Sequence, residues 1–221
     1  SLFFGCDKVN GANFWQDENA AGQILSQGSR IESVEGARVS FTDTCLWQKP
    51  GEAPVMRDTR RVVIEAPSDA LRFLDFSIEL EALVPVEIQN TNHSLFSVRM
   101  APEMSVEQGG VLVNREGKRN QEGTQGVVSD WCDYSNTRNG HTEGVAIFVH
   151  PSSDWYPTPW STRDYGFFSP TPLNSIDQPV ALAEGEKVAL HYRVVVHAGD
   201  ADVAAVANLY SEYAASAPVS G

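Results

Sequence analysis

Leu74, Phe76, Ile78 and Leu80 alternate with Asp75, Ser77, Glu79 and Glu81. Apolar residues that recur at every second position can all be buried together only in a strand with one face on a core, because successive strand side chains point to opposite faces. The same period appears upstream, where Ala37, Val39, Phe41, Cys45 and Trp47 stand between mostly polar neighbours until Lys49-Pro50-Gly51 ends the run. Residues 56–66 read as the next strand, antiparallel because only a short turn joins the two. Residues 95–100 and 111–114 are shorter strands separated by Gly109-Gly110. The polar, Gly-rich stretch 116–126 predicts a loop, and 127–131 a return to the sheet.

Asn139-Gly140 is a turn signal leading into a buried strand at 145–149. Residues 180–182 and 188–196, linked by Glu184-Gly185-Glu186, read as a hairpin. Its second arm carries Val188, Leu190, Tyr192, Val194 and Val196 on one face and His191, Arg193 and His197 on the other. Only the tail has helical spacing: Val203, Val206, Ala207, Tyr210 and Tyr213 form one stripe, with Asp200 or Asp202 placed to cap it. Roughly nine or more strands with regular turns and one terminal helix predict an all-β fold, an antiparallel β-sandwich with a C-terminal helix.

At 221 residues, 42% of them hydrophobic, the chain has material for one large core, and residues 1–221 are expected to form a single domain. A net charge of -13, from 16 Lys and Arg against 29 Asp and Glu, is the wrong sign for a nucleic-acid partner. No apolar run reaches the ~20 residues of a membrane span. Cys6, Cys45 and Cys132 lie far apart without CxxC spacing, so each is expected to be a small buried hydrophobe, with at most one disulfide. The compartment stays open between cytoplasm and a periplasmic or secreted setting. Ser1-Leu2-Phe3-Phe4-Gly5-Cys6 begins inside an apolar segment, which predicts an upstream N-terminal piece, and homo-oligomerisation is a further open partner.

The connection after the 145–149 strand carries most of the chemistry. His150-Pro151 breaks the strand, and a Pro-rich stretch follows with Trp155, Tyr156, Trp160 and then Arg163-Asp164-Tyr165. His150 has the side chain for acid/base work near neutral pH, or it caps a strand end. Alternation puts Arg163 and Tyr165 on one side, with Asp164 facing away or bridging an arginine internally. Arg99 offers a second guanidinium. Trp155 and Trp160 can stack on the apolar face of a sugar or close a core; Trp131 reads as core. Asp130 and Asp133 can accept hydroxyl hydrogen bonds or hold a loop. His141, Glu143, His191 and His197 lack any recognised metal-ligand spacing, so no metal is expected, and no cofactor either.

Several segments in order, Val9-Asn10-Gly11-Ala12-Asn13-Phe14-Trp15, Phe96-Ser97-Val98-Arg99, Ser129-Asp130-Trp131-Cys132-Asp133-Tyr134, Pro157-Thr158-Pro159-Trp160, Arg163-Asp164-Tyr165-Gly166 and residues 190–197, together resemble the soluble bacterial family labelled methane oxygenase PmoA. The resemblance spans nearly the whole chain. It implies a β-sandwich similar to galactose mutarotases, in bacteria that degrade polysaccharides; members of that family carry a His-His-Arg-like segment directly before the part matching Ser1-Leu2-Phe3, which this sequence lacks, so it is either lost here or on a separate piece. The resemblance thus implies a carbohydrate-active protein, an enzyme of epimerase, lyase or hydrolase type rather than an oxygenase. His150, Arg163 and Tyr165 would be catalytic, and Arg99, Asp133, Trp155, Trp160 and Asp164 would bind substrate. The alternative is a non-catalytic glycan-binding or assembly domain. The enzyme reading requires His150, Arg99 and Arg163 to converge on one hollow.

Overall fold

The alternation around Phe76 becomes strand β6 (Leu71–Ala82), paired on one side with β5 (Met56–Ser68) and on the other with β15 (Lys187–Ala198). This computed structural model describes residues 1–16 and 22–219. Beyond β5 the sheet continues to β4 (Arg38–Gln48), whose far edge takes both β2 (Gln23–Ser26) and β3 (Arg30–Glu35). Beyond β15 it continues through β11 (His141–Val149), β10 (Trp131–Arg138) and β9 (Val111–Asn114). A smaller sheet runs in the order β1 (Leu2–Cys6), β8 (Ser94–Arg99), β13 (Phe167–Pro170), β12 (Trp160–Arg163). The pairings are antiparallel throughout, giving the all-β sandwich that the alternation predicts.

Register decides which face is which. Ile78 pairs with Leu190, Phe76 with Tyr192 and Leu74 with Val194, and these side chains point toward the small sheet. There Phe96 stacks on Tyr192 with ring centroids 4.5 Å apart, and Phe168 and Val98 complete the layer. Burying each such side chain fully is worth about 1.5–3 kcal/mol. The opposite face of the large sheet carries Phe148, Val195 and Trp131 and is covered by helix α2 (Val206–Ala215) through Val206, Tyr210 and Tyr213.

Between β10 and β11, Asn139 and Gly140 both take positive φ, 53° and 79°, the geometry a two-residue hairpin with right-handed strand twist requires. The three cysteines are buried and unpaired, and burial raises the pKa of each thiol, that of Cys45 to about 12. Among the described residues no helix is long and apolar enough to cross a membrane.

Four local expectations are corrected. The predicted 180–196 hairpin does not form: β14 (Val180–Leu182) pairs with β7 (Val86–Ile88), while β15 inserts between β6 and β11, where both of its edges are hydrogen-bonded over a much greater length. Strand β10 starts at Trp131 rather than at 127, and Val128 instead bridges Pro159 beside β12. The 116–126 loop contains a short helix, α1 (Asn120–Thr124). Helix α2 begins only at Val206, because Ala205 is left-handed with φ 52°; Asp200 caps the preceding turn through Val203 N–H, and Val203 is 77% exposed.

Candidate functional site

Period two already separates His150 from the arginines. Val149 points into the sandwich core, so the next side chain points the other way, toward α2. The His150 ring is buried with its edge against Tyr213, centroids 5.0 Å apart. Its Nδ1 accepts from Ser152 N–H at 3.1 Å and lies 2.7 Å from Ser152 Oγ, and its Nε2 meets the Ser216 carbonyl at 3.0 Å. Both nitrogens are thereby used, with the proton on Nε2, so His150 ties the strand end to the end of α2. His191 lies nearby, its pKa lowered chiefly by burial.

The other predicted residues divide in the same way. Asp133 is fully buried on the α2 side of the large sheet, its Oδ2 2.6 Å from His197 Nε2. Trp160 is fully buried, stacks on Phe168 and donates its indole N–H to the Ser129 carbonyl at 2.8 Å, which leaves no ring face for a ligand. Trp155 is half-buried against the core. Asp164 Oδ1 accepts the Gln121 N–H at 2.8 Å and so pins α1 to the β12–β13 turn. Asp130 holds Arg115 and accepts the Tyr156 hydroxyl at 2.6 Å.

Arg99 and Tyr165 come together on the outer face of the small sheet, and Arg163 stands on the same face two strands away. Arg163 pairs with Phe167 across β12 and β13, and Phe167 pairs with Arg99 across β13 and β8, so the three form one row on one face. The turn between β12 and β13 brings Tyr165 over the end of that row. Gly166 makes this turn possible with φ 106°, and its carbonyl accepts the Met100 N–H at 2.8 Å, holding the turn against Arg99. The Arg99 guanidinium then lies over the Tyr165 ring, 5.0 Å from its centroid. Beside them opens a hollow of about 570 Å³ lined by Arg99, Tyr165, Met100, Ser105, Glu107 and Gln108, among others. Arg163 bends to the sheet edge, where Nη1 donates to Gln125 Oε1 at 2.6 Å and to the Thr162 carbonyl at 2.7 Å.

Aromatic rings continue the face. Phe167 is a buried floor, with Trp15 6.3 Å away and Phe3 6.4 Å away; both of these are half-buried, and His93 stacks on Trp15 at 5.6 Å with an interplanar angle of 24°. His93 is 51% exposed, and its Nδ1 lies 3.3 Å from Asp7 Oδ2. The Thr91 hydroxyl donates to Asp7 Oδ1 and accepts the His93 N–H, which fixes both partners. Deeper on the same face, Ser97 and Ser161 keep buried hydroxyls that have no hydrogen-bond partner among the described residues.

Nothing in the sequence singles out Phe3, Asp7 or His93, and Trp15 stands there only at the end of the segment 9–15. No local pattern could mark them, since the Asp7–His93 contact joins positions 86 apart. His141 is exposed in the β10–β11 hairpin and Glu143 holds Arg138; no group of three or more His, Cys, Asp or Glu able to hold a metal occurs among the described residues.

A model of DUF6807, a family of unknown function, matches residues 1–211, and the chain belongs to that family. No curated protein matches the chain.

Proposed function

For this member of a family of unknown function, we propose a carbohydrate-active protein whose ligand lies along the outer face of the small sheet. One observation carries the reading: Phe3, Trp15, His93 and Tyr165 present exposed or half-exposed rings on the same face as Arg99 and Arg163. Sugars have apolar C–H faces that stack on aromatic rings and a rim of hydroxyl groups that hydrogen-bond to guanidinium and phenol groups. The polar cluster on the other layer supports the reading less well, because His150 and Asp133 are occupied internally.

A second reading, acid/base chemistry on the bound sugar, is favoured by the Asp7–His93 arrangement. A carboxylate that holds Nδ1 orients the ring and fixes its tautomer, which leaves Nε2 to take a proton from a ligand hydroxyl or a water. His93 thus replaces His150 as the acid/base candidate.

Isothermal titration calorimetry of the protein against neutral and acidic oligosaccharides tests the binding reading. Trp15→Ala is expected to weaken a bound sugar about threefold to tenfold, the worth of one ring contact. If no oligosaccharide binds, or if Trp15→Ala and Tyr165→Ala both bind like wild type, the ligand does not lie on this face.

A further inference from the structure

We propose that the ligand of this face is an acidic glycan, an oligosaccharide containing uronic acid residues whose carboxylates are taken by Arg99 and Arg163; this rests on the carbohydrate reading above. The chain has 29 Asp and Glu against 16 Lys and Arg, so an arginine left without a carboxylate keeps its charge for a ligand. Arg57, Arg60, Arg61, Arg115, Arg138 and Arg193 each hold one. Among the described residues Arg30, Arg38, Arg72, Arg119, Arg99 and Arg163 hold none, and of these Arg99 and Arg163 stand on strands of the small sheet, on either side of Phe167. Arg99 rests on a neutral ring, and Arg163 donates to an amide oxygen and a backbone carbonyl.

Their spacing suits a chain of sugars better than a single one. The two backbones flank Phe167 on neighbouring strands and so stand two strand spacings apart, about 10 Å. The nearby acids are mostly committed: Asp164 turns to the Gln121 N–H, and Glu103 pairs with Arg138. Glu107 is the exception. It lines the hollow beside Arg99 without an ion pair and opposes an acidic ligand there. A guanidinium presents parallel N–H groups that match a carboxylate in two-point contact, a match that neutral hydroxyls do not offer.

The test is calorimetry with di- to tetramers of galacturonate and glucuronate beside the corresponding neutral galactose and glucose oligomers, at low and high salt. The acidic oligomers are expected to bind at least about tenfold tighter, with an affinity that falls as salt screens the arginines. Arg99→Gln and Arg163→Gln should each lose roughly tenfold to a hundredfold for acidic ligands and little for neutral ones. Arg99→Lys should retain part of the affinity, Glu107→Gln should tighten acidic binding, and Arg30→Gln, on an edge strand of the other sheet, should change nothing. Circular dichroism and thermal melts establish that each variant is folded. Neutral oligomers binding as tightly as acidic ones, or arginine variants losing both alike, would overturn the acidic assignment and leave sugar binding standing; no binding of either kind overturns both.

Discussion

The Asp133–His197 pair allows a quantitative test of how the layer under α2 is held. Both side chains are completely buried, with His197 Nε2 2.6 Å from Asp133 Oδ2 and its Nδ1 3.1 Å from the Gly199 carbonyl. A ring facing two acceptors donates from both nitrogens and is therefore cationic. Burial alone pulls the His197 pKa down, but the hydrogen bond and charge of Asp133, with the Ala198 and Gly199 backbone, more than reverse this and raise it above the usual 6.5. Asp133→Asn removes the carboxylate and keeps a hydrogen-bonding group of the same shape. Breaking a buried pair costs about 3–5 kcal/mol, and the retained amide puts this variant near about 3 kcal/mol. In a chain of this size that corresponds to a fall in Tm of about 6–12 °C.

The pH dependence gives the sharper criterion. A histidine whose folded pKa is raised contributes stability that is complete below its unfolded pKa and is lost as pH rises through its folded pKa. Wild-type stability should therefore decline above about pH 6.5. His191, whose pKa is lowered, acts in the other window, since its contribution is present above the unfolded pKa and is lost as pH falls. Urea denaturation of wild type and Asp133→Asn between pH 5 and 9 separates the two histidines, because the difference curve removes His191. The difference should shrink as pH rises from 6.5. A flat difference curve, or a cost under about 1 kcal/mol, would mean that His197 is neutral and that the pair does not carry charge.

Two further outcomes follow from the same layer. Gly144→Ala should destabilise by about 1–3 kcal/mol in chemical denaturation, because its Cβ would lie 2.5 Å from His197 Cε1 and 2.9 Å from the Tyr134 carbonyl, and the second of these is backbone. His150→Gln should leave oligosaccharide affinity unchanged in calorimetry while lowering Tm, since its imidazole bonds only within the protein; lost affinity in a folded variant would return His150 to the ligand site.

Long alternating stretches were readable because each fixes its own faces: residues 38–48, 56–68, 71–82 and 187–198 form strands with their apolar sides inward, as the spacing requires. Short elements were not. A three-residue strand such as Val180–Leu182 cannot encode its partner, and its true neighbour, Val86–Ile88, lies far away in sequence. The start of α2 differs from the expected one because Val203 continues the helical spacing while Ala205 breaks the backbone with a positive φ, which composition does not reveal.

The candidate site shows the same division at the level of side chains. Placing His150 on the face away from Arg163 required only period two, since Val149 belongs to the core and the next residue must leave it. Placing Arg99 beside Tyr165 required knowing that β8 and β13 pair with Arg99 opposite Phe167, a register set by layers of Phe and Val that no local pattern specifies. Polarity itself was a poor guide. His150, Asp133 and His197 are as polar as the arginines, yet α2 closes over their face of the large sheet and their hydrogen bonds are made inside it, whereas the small sheet leaves Arg99 and Tyr165 exposed and His93 half-exposed at its surface. Two faces with similar residues thus differ in exposure through what covers them: helix α2, the one long helix among the described residues, buries the polar groups on its side of the large sheet.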